Sequence, residues 1–364
     1  MQQGYLKIPP EVITVWADDG YGYIEDKGQV AAGQGTYYHV AMMNNRTNQL
    51  SEMVPIERIA GEMGRYVKAG ATQYFLVNTS DIRPYSLTIR AVMDYAWLGH
   101  LPGAEDAPSG YYTRYATEEF GAQAAPAIAD MYKDYFAAPA HVGDPSHEYG
   151  DQLYHTEGRQ MMQTFMVDAP LYALPGQSPK WTIPRLVGEG YGRPGFGGKQ
   201  WLSTTAAREI QQCGDAQARW DAVWKKAVAA QALVPAARRP FYQASVLTMV
   251  TINRESNRML LHISRSIQAA QNGRLAEAQQ EAAEALAAVA QVRQAQAAAE
   301  YGKWKNWYRG DWLTGVYRTQ QTLEAYASFL KDPLTHLDPP ILWSGWEAYY
   351  HIMMYEGDRS ADVR

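Results

Sequence analysis

Cys213 is the only cysteine in 364 residues, which excludes an intrachain disulfide framework and any multi-thiolate metal site. No run of about 18 consecutive apolar residues is present. The opening Met1-Gln-Gln-Gly-Tyr-Leu-Lys7 lacks the basic-then-apolar layout of a signal peptide. Lys and Arg form no sustained run and the formal net charge is −5, which argues against nucleic acid as a partner, since its phosphates demand clustered cations, and against an anionic membrane surface. His141, His147 and His336 stand apart in loops, so no ligand spacing for a metal is met. No Gly-x-Gly-x-x-Gly or P-loop pattern follows a strand; Gly195-Phe-Gly197-Gly198-Lys199 lacks both the strand and the spacing. The sequence therefore implies neither metal nor cofactor.

What is present is a foldable chain with 46% hydrophobic residues and an aromatic set of 26 Tyr and 11 Trp against 7 Phe. Tyr and Trp join a flat apolar face to a polar tip, which suits sugar stacking and also wet contacts between helices; packing is the better reading for most of them. The length exceeds one ordinary core, so two domains, or one with a large helical appendage, are expected.

Three segments read as strands: Val12 to Trp16, Thr36 to Met42 and Thr72 to Asn78. Between the second and third, Ile56, Ile59, Met63, Tyr66 and Val67 recur at helical spacing behind Pro55, with Gly70 as the stop. Pro84 to Trp97 reads as a second amphipathic helix. The order β, β, α, β, α implies parallel pairing under helical cover. From about Tyr111 the pattern is helical, with candidates at Tyr112 to Phe120, Pro126 to Phe136, Ala216 to Leu233, Pro240 to Gln271, Arg274 to Ala299 and Val316 to Leu330. Residues 168–200, with five prolines and seven glycines, read as a long loop, either functional or poorly ordered.

The candidate chemistry lies where strands end. Val12-Ile-Thr-Val-Trp16 stops at Ala17-Asp18-Asp19-Gly20; one aspartate can face a ligand while the other caps the turn, and an Asx-turn pair is the structural alternative. Tyr37 and His39 share one strand face, and a hydrogen-bonded core histidine is the alternative for His39. Asn78-Thr79-Ser80-Asp81 ends the third strand. Polar side chains thus gather at the carboxyl end of the sheet, where α/β sheets and barrels bind ligands.

The runs Trp16 to Ile24, Gly35-Thr36-Tyr37-Tyr38-His39, Val77-Asn78-Thr79-Ser80-Asp81-Ile82-Arg83-Pro84 and Asp94-Tyr95-Ala96-Trp97 resemble glycoside hydrolase family 115, the xylan α-1,2-glucuronidases, in order and separation. The resemblance continues through Tyr112-Thr-Arg114, Phe120-Gly121, Asp151 to Glu157, Phe241-Tyr242 and Gly302-Lys303-Trp304. It implies an α/β plus all-α fold: residues 1–105 as the C-terminal portion of a (β/α)8 TIM barrel and residues 106–364 as an α-helical bundle domain. It also implies an inverting hydrolase that removes (4-O-methyl)glucuronic acid from xylan, with glucuronoxylan or aldouronic oligosaccharides as partners. On this resemblance Asp18, Asp19 and His39 are the catalytic candidates, and Tyr21, Tyr37, Asn78, Asp81, Arg83 and Arg114 the substrate-binding ones. Surface pairing is the alternative for both arginines, and turn packing for Tyr21.

Two departures stand out. Gly20 occupies a position where the family pattern has Asn, and the family's earlier barrel strands have no counterpart, so the chain is expected to be an incomplete catalytic unit, with the acid and base largely on strands it lacks. A secretory or periplasmic signal would then lie upstream, and a homodimer stays open. The alternatives are a noncatalytic carbohydrate-binding or assembly module, and a truncated product with no activity of its own.

Overall fold

The computed structural model describes residues 9–41, 50–79, 82–141, 148–168, 198–310 and 314–331. Three short strands, β1 (Val15–Ala17), β2 (Gly35–His39) and β3 (Tyr74–Asn78), form a parallel sheet in the order β1-β2-β3. The first crossover is a loop, and the second carries helix α1 (Ile56–Lys68). Register places Val15, Gly35 and Tyr74 side by side, then Ala17, Tyr37 and Leu76, then His39 and Asn78. Paired residues share a face, so Trp16, Tyr38, Phe75 and Val77 look the other way. That second face is the covered one: Tyr38 is fully buried and the other three pack on the core.

The first face is open only in part: Gly35 and His39 on it are buried and Tyr37 half-buried. Val15, Tyr74 and Leu76 are 39%, 44% and 43% exposed, although β-branched and aromatic residues on a strand ordinarily mark a surface that packs. β1 is shorter than the Val12 to Trp16 run because Val12 and Ile13, both exposed, lie ahead of the paired residues.

α1 buries Ile56, Ile59, Met63 and Tyr66 as the spacing predicts and ends ahead of Gly70. Helix α2 (Ser86–Leu98), entered through a 3-10 turn at Arg83–Tyr85, completes this layer. The helical remainder comprises α3 (Gly110–Phe120), α4 (Ala125–Ala137), α5 (Asp151–Asp168), α6 (Gly198–Gln231), α7 (Arg239–Tyr242), α8 (Thr248–Gln271), α9 (Leu275–Ala299) and α10 (Val316–Lys331). One hydrophobic core runs from Tyr21 to Leu330. The predicted stripe Tyr242, Val246, Met249, Asn253, Leu260, Ile263 and Ile267 is buried throughout, but the helix carrying it is interrupted by a π turn at Gln243–Leu247. Across it, α9 offers Ala278, Ala282, Ala285 and Ala288 as its buried face, with Leu275 and Leu286 at the margin. Alanine lets the axes approach closely enough for Ser266 Oγ to donate to the Ala278 carbonyl and Thr248 Oγ1 to that of Ala295.

Two helical stretches differ from expectation. α5 was not read as a helix because its buried side spreads almost around the whole helix and includes Asp151, Gln152, His155, Glu157, Gln163 and Thr164, which erases the polar-apolar alternation. α6 begins at Gly198 rather than near Ala216, so residues 198–200 are helix; 169–197, the rest of the expected loop, lie outside the described residues. Among the described residues no helix is long and apolar enough to cross a membrane.

Tyrosine hydroxyls join the layers. Tyr111 donates to Asp94, Tyr112 to Glu57, Tyr149 to Glu209, Tyr135 to the Glu52 carbonyl and Tyr242 to that of Ala227. Residues 50–52 connect sheet and helices. Asp151 accepts from Leu50 N, Ser51 Oγ (2.7 Å) and Thr314 Oγ1 (2.8 Å). The Glu52 carboxylate accepts from Leu87 N (2.8 Å), Thr88 N and Thr88 Oγ1 (2.5 Å), so it caps the start of α2 from another segment.

Complete burial pushes the Glu52 carboxyl up to about 7 from 4.5, against the opposing pull of its Thr88 and Leu87 donors. The folded chain holds this proton in a window where the unfolded chain has lost it. The contribution is therefore full below pH 4.5 and is lost as pH rises through about 7. Thermal unfolding across that range should show a decline worth about 3 kcal/mol, and Glu52→Gln should flatten it; an unchanged slope in the variant would assign the decline to another group.

Candidate functional site

The carboxyl end of the sheet carries four side chains in contact, joined by two hydrogen bonds and one ring contact. Asp18, whose side chain is fully buried, follows β1 directly. Its Oδ2 accepts the backbone N–H of His39 at 2.6 Å, and its Oδ1 meets His39 Nδ1 at 2.6 Å and also accepts Gly20 N at 2.9 Å. A carboxylate only accepts, so a ring proton is assigned to Nδ1. The Tyr37 ring lies 4.5 Å from the His39 ring, centre to centre. Asn78 Nδ2 donates to Tyr37 Oη at 3.0 Å. By register Tyr37, His39 and Asn78 stand on the first face, where His39 is buried and the other two are half-buried.

Asp19 does different work. Its Oδ1 accepts Tyr21 N at 2.8 Å and Tyr23 N at 3.2 Å, the Asx-turn arrangement. Tyr21 is buried in the core, and its carbonyl accepts Arg58 Nη1 at 2.6 Å. The turn is tight: a Cβ on Gly22 would lie 2.8 Å from Tyr38 Oη, which donates to the Gly22 carbonyl. Gly20 has φ 85°, a region Asn enters more readily than other non-glycine residues, so the backbone there suits either residue.

The sequence held no signal for what steadies this turn. Arg58, from the first turn of α1, pairs with Glu148 at 2.6 Å, both side chains nearly buried, and lies over the exposed Tyr23 ring at 4.3 Å. Glu62 Oε2 accepts Ile24 N, and Arg65 bridges Glu62 and Asp26. Arg58 and Glu148 are 90 residues apart in sequence, and no local pattern joins them.

The other candidates lie apart from this chain of contacts. Arg83 turns toward the segment after α9, among Tyr301, Trp304 and Trp307. Arg114 pairs with Glu118 one helical turn on and borders an open groove with Gly103, Gly110 and Thr117. Asp81 lies outside the described residues. Among the described residues no group of three or more His, Cys, Asp or Glu could hold a metal ion, and Cys213 is buried with its thiol pushed well up by burial.

The family model described as Glycosyl hydrolase family 115 matches residues 1–142. Residues 1–142 are thus similar to glycosyl hydrolase family 115. Among solved structures, a family 115 4-O-methyl-α-glucuronidase with specificity for decorated arabinogalactans aligns with TM-score 0.51 and 18% identity over 90% of this chain and 36% of that one. At that identity the likeness is one of fold, and the chain spans about a third of that relative's length. Comparison with curated proteins finds no match. The family 115 match takes in β1, β2 and β3, and with them the Asp18, Tyr37, His39 and Asn78 contacts.

The two adjacent aspartates should separate on substitution. Asp18→Ala strands the His39 N–H and ring and should cost about 3 kcal/mol, whereas Asp19→Ala loses a turn cap and should cost about 1 kcal/mol. Urea unfolding of both variants measures this, and equal losses would remove the distinction.

Proposed function

We propose that this chain is the C-terminal arc of a barrel together with the helical region of a family 115 glycosidase that releases (4-O-methyl)glucuronic acid from glucuronoxylan. The observation that carries the reading is the Asp18–His39 pair, continued through Tyr37 to Asn78, at the carboxyl end of a sheet whose adjoining face leaves Val15, Tyr74 and Leu76 exposed. In a (β/α)8 barrel that face points inward and is covered by the other strands. On this reading residues 1–105 contribute part of the barrel and residues 106–364 the helical domain.

An inverting glycosidase needs two carboxyl groups about 6.5 to 9.5 Å apart. Asp19 is taken up by its turn, and Asp18 by His39. The role that fits Asp18 is to orient His39, so that Nε2 accepts from a sugar hydroxyl or the attacking water. Tyr37 accepts from Asn78 and keeps its own O–H to donate. The acid and base are then supplied largely by strands outside this chain. A single engaged carboxylate in the cluster also suits a noncatalytic carbohydrate-binding module, which is the second reading.

Joined to the earlier barrel strands of a family 115 enzyme, the chain should release glucuronic acid from glucuronoxylan, and His39→Ala should lower kcat/KM about a hundredfold or more. Release from decorated arabinogalactan instead would move the substrate class. Binding without release would favour the module, and a His39→Ala variant with full activity would remove the site assignment.

A further inference from the structure

Between α6 and α8 lies an open groove of about 450 Å3, and none of its lining residues belongs to the sheet site. Gly214 and Asp221 stand on the α6 wall, and Arg254, Arg258, His262 and Arg265 on the α8 wall. Three of these cations are held at one edge by a carboxylate. Arg254 lies over the Trp224 ring at 4.9 Å and donates through Nε to Asp221 and through Nη1 to Glu255, both at 2.6 Å. Arg258 Nη2 donates to Glu284 of α9 at 2.8 Å, while its Nη1 stays 3.8 Å from Glu255, beyond hydrogen-bond reach. His262 Nδ1 meets Glu281 of α9 at 2.6 Å. Arg265 is exposed, and among the described residues its side chain makes no hydrogen bond or ion pair.

Ion pairs that served only to tie α8 to its neighbours would leave no cation over and would ask for no glycine on the facing wall. Gly214 lies in the interior of a 34-residue helix, where glycine is the poorest helix former after proline. A Cβ on Gly214 would meet nothing within 4 Å, so no neighbour in the chain calls for glycine. What its missing side chain keeps clear is the groove.

Arg258, His262 and Arg265 follow one another at four and three residues, on one helix face. A carboxylate has two oxygens and fills a single guanidinium fork. A phosphate monoester offers three acceptor oxygens and close to two charges, enough to bridge neighbouring forks. The groove is larger than a bare phosphate needs and lies within the range of small-molecule clefts, roughly 300 to 1,000 Å3. Further along, Asp221 Oδ1 is taken by Gln217 and Arg254, and Oδ2 has no partner among the described residues. It is an acceptor for a hydroxyl.

We propose that the groove between α6 and α8 binds a small phosphate monoester, its phosphate bridging Arg258, His262 and Arg265 and a hydroxyl of its body donating to Asp221. The carboxylates that hold the cations also limit their pull, so the affinity is millimolar. The site is independent of the glycosidase reading and stands or falls without it.

The test titrates the whole chain by calorimetry with glycerol 3-phosphate, inorganic phosphate and glycerol, with thermal unfolding in parallel and sodium chloride at matched ionic strength as the control. Glycerol 3-phosphate should bind saturably and raise Tm, inorganic phosphate should bind several-fold more weakly, and glycerol and chloride should do neither. Arg265→Gln should weaken binding at least tenfold at unchanged Tm, and Arg265→Lys should recover part of it. Gly214→Leu should abolish binding while Tm holds or rises, and Gly214→Ala should weaken it. Arg274→Gln, at an exposed position outside the groove, should change nothing. An equal rise in Tm with chloride would reduce the effect to charge screening and overturn the site. Normal binding in both Arg265→Gln and Gly214→Leu would place the phosphate elsewhere and overturn it too, as would no saturable binding of either phosphate. Inorganic phosphate binding as tightly as the monoester would overturn the role of Asp221 and leave an ion site.

Discussion

Two buried carboxylates meet at residues 50–52 and hold the sheet to the helices. Asp151, at the start of α5, takes the backbone and hydroxyl donors of Leu50 and Ser51, and Glu52 reaches away to cap α2. Tyr135 closes the arrangement from α4 by donating to the Glu52 carbonyl, and Asn253 on α8 donates in turn to the Tyr135 hydroxyl. Each group is fully buried, so losing one partner would leave another uncompensated in a low-dielectric interior. Four helices thereby share one short segment, residues 50–52, which follows β2 in sequence.

At the site, rigidity comes from backbone donors as much as from side chains. Asp18 holds both the N–H and the ring of His39, which fixes the end of β2 against the end of β1 and sets the imidazole by the same contact. The turn between them is pressed on α1 by Arg58, Glu62 and Arg65. A sheet of three short strands would be marginal alone; these charged contacts and the covered face supply what hydrogen bonding in the ladder does not. On the other face Val15, Tyr74 and Leu76 stay exposed.

Much of this was legible in the residues. Period-two patterning places Tyr37 and His39 on one face, and the α1 stripe with its Gly70 stop is legible apart from Val67, which is exposed, because α1 has one wet and one dry side. Of the aspartates, only the structure could assign roles, since Asp18 and Asp19 differ by which donors lie 2 or 21 positions away. The buried pair Arg58–Glu148 and the carboxylates Glu52 and Asp151 left no trace, because charged residues read as surface unless their partners are known. α5 escaped for the related reason that its interior face is built largely from polar groups. Arg83 was a ligand candidate by position alone; its aromatic surroundings come from residues more than 200 positions away.

The tyrosine content has a consequence beyond packing. A phenylalanine ring in a helix interface is indifferent to small rotations and slides of its neighbour, because dispersion has no direction. The hydroxyls of Tyr111 and Tyr112 on α3, Tyr135 on α4 and Tyr242 on α7 each end on a single acceptor, which disfavours rotation or sliding of the helix that bears them. With 26 Tyr against 7 Phe, the chain indexes its helices against one another by hydroxyl tips, and the rotational setting of α3 and α4 is transmitted to the strand exits they border.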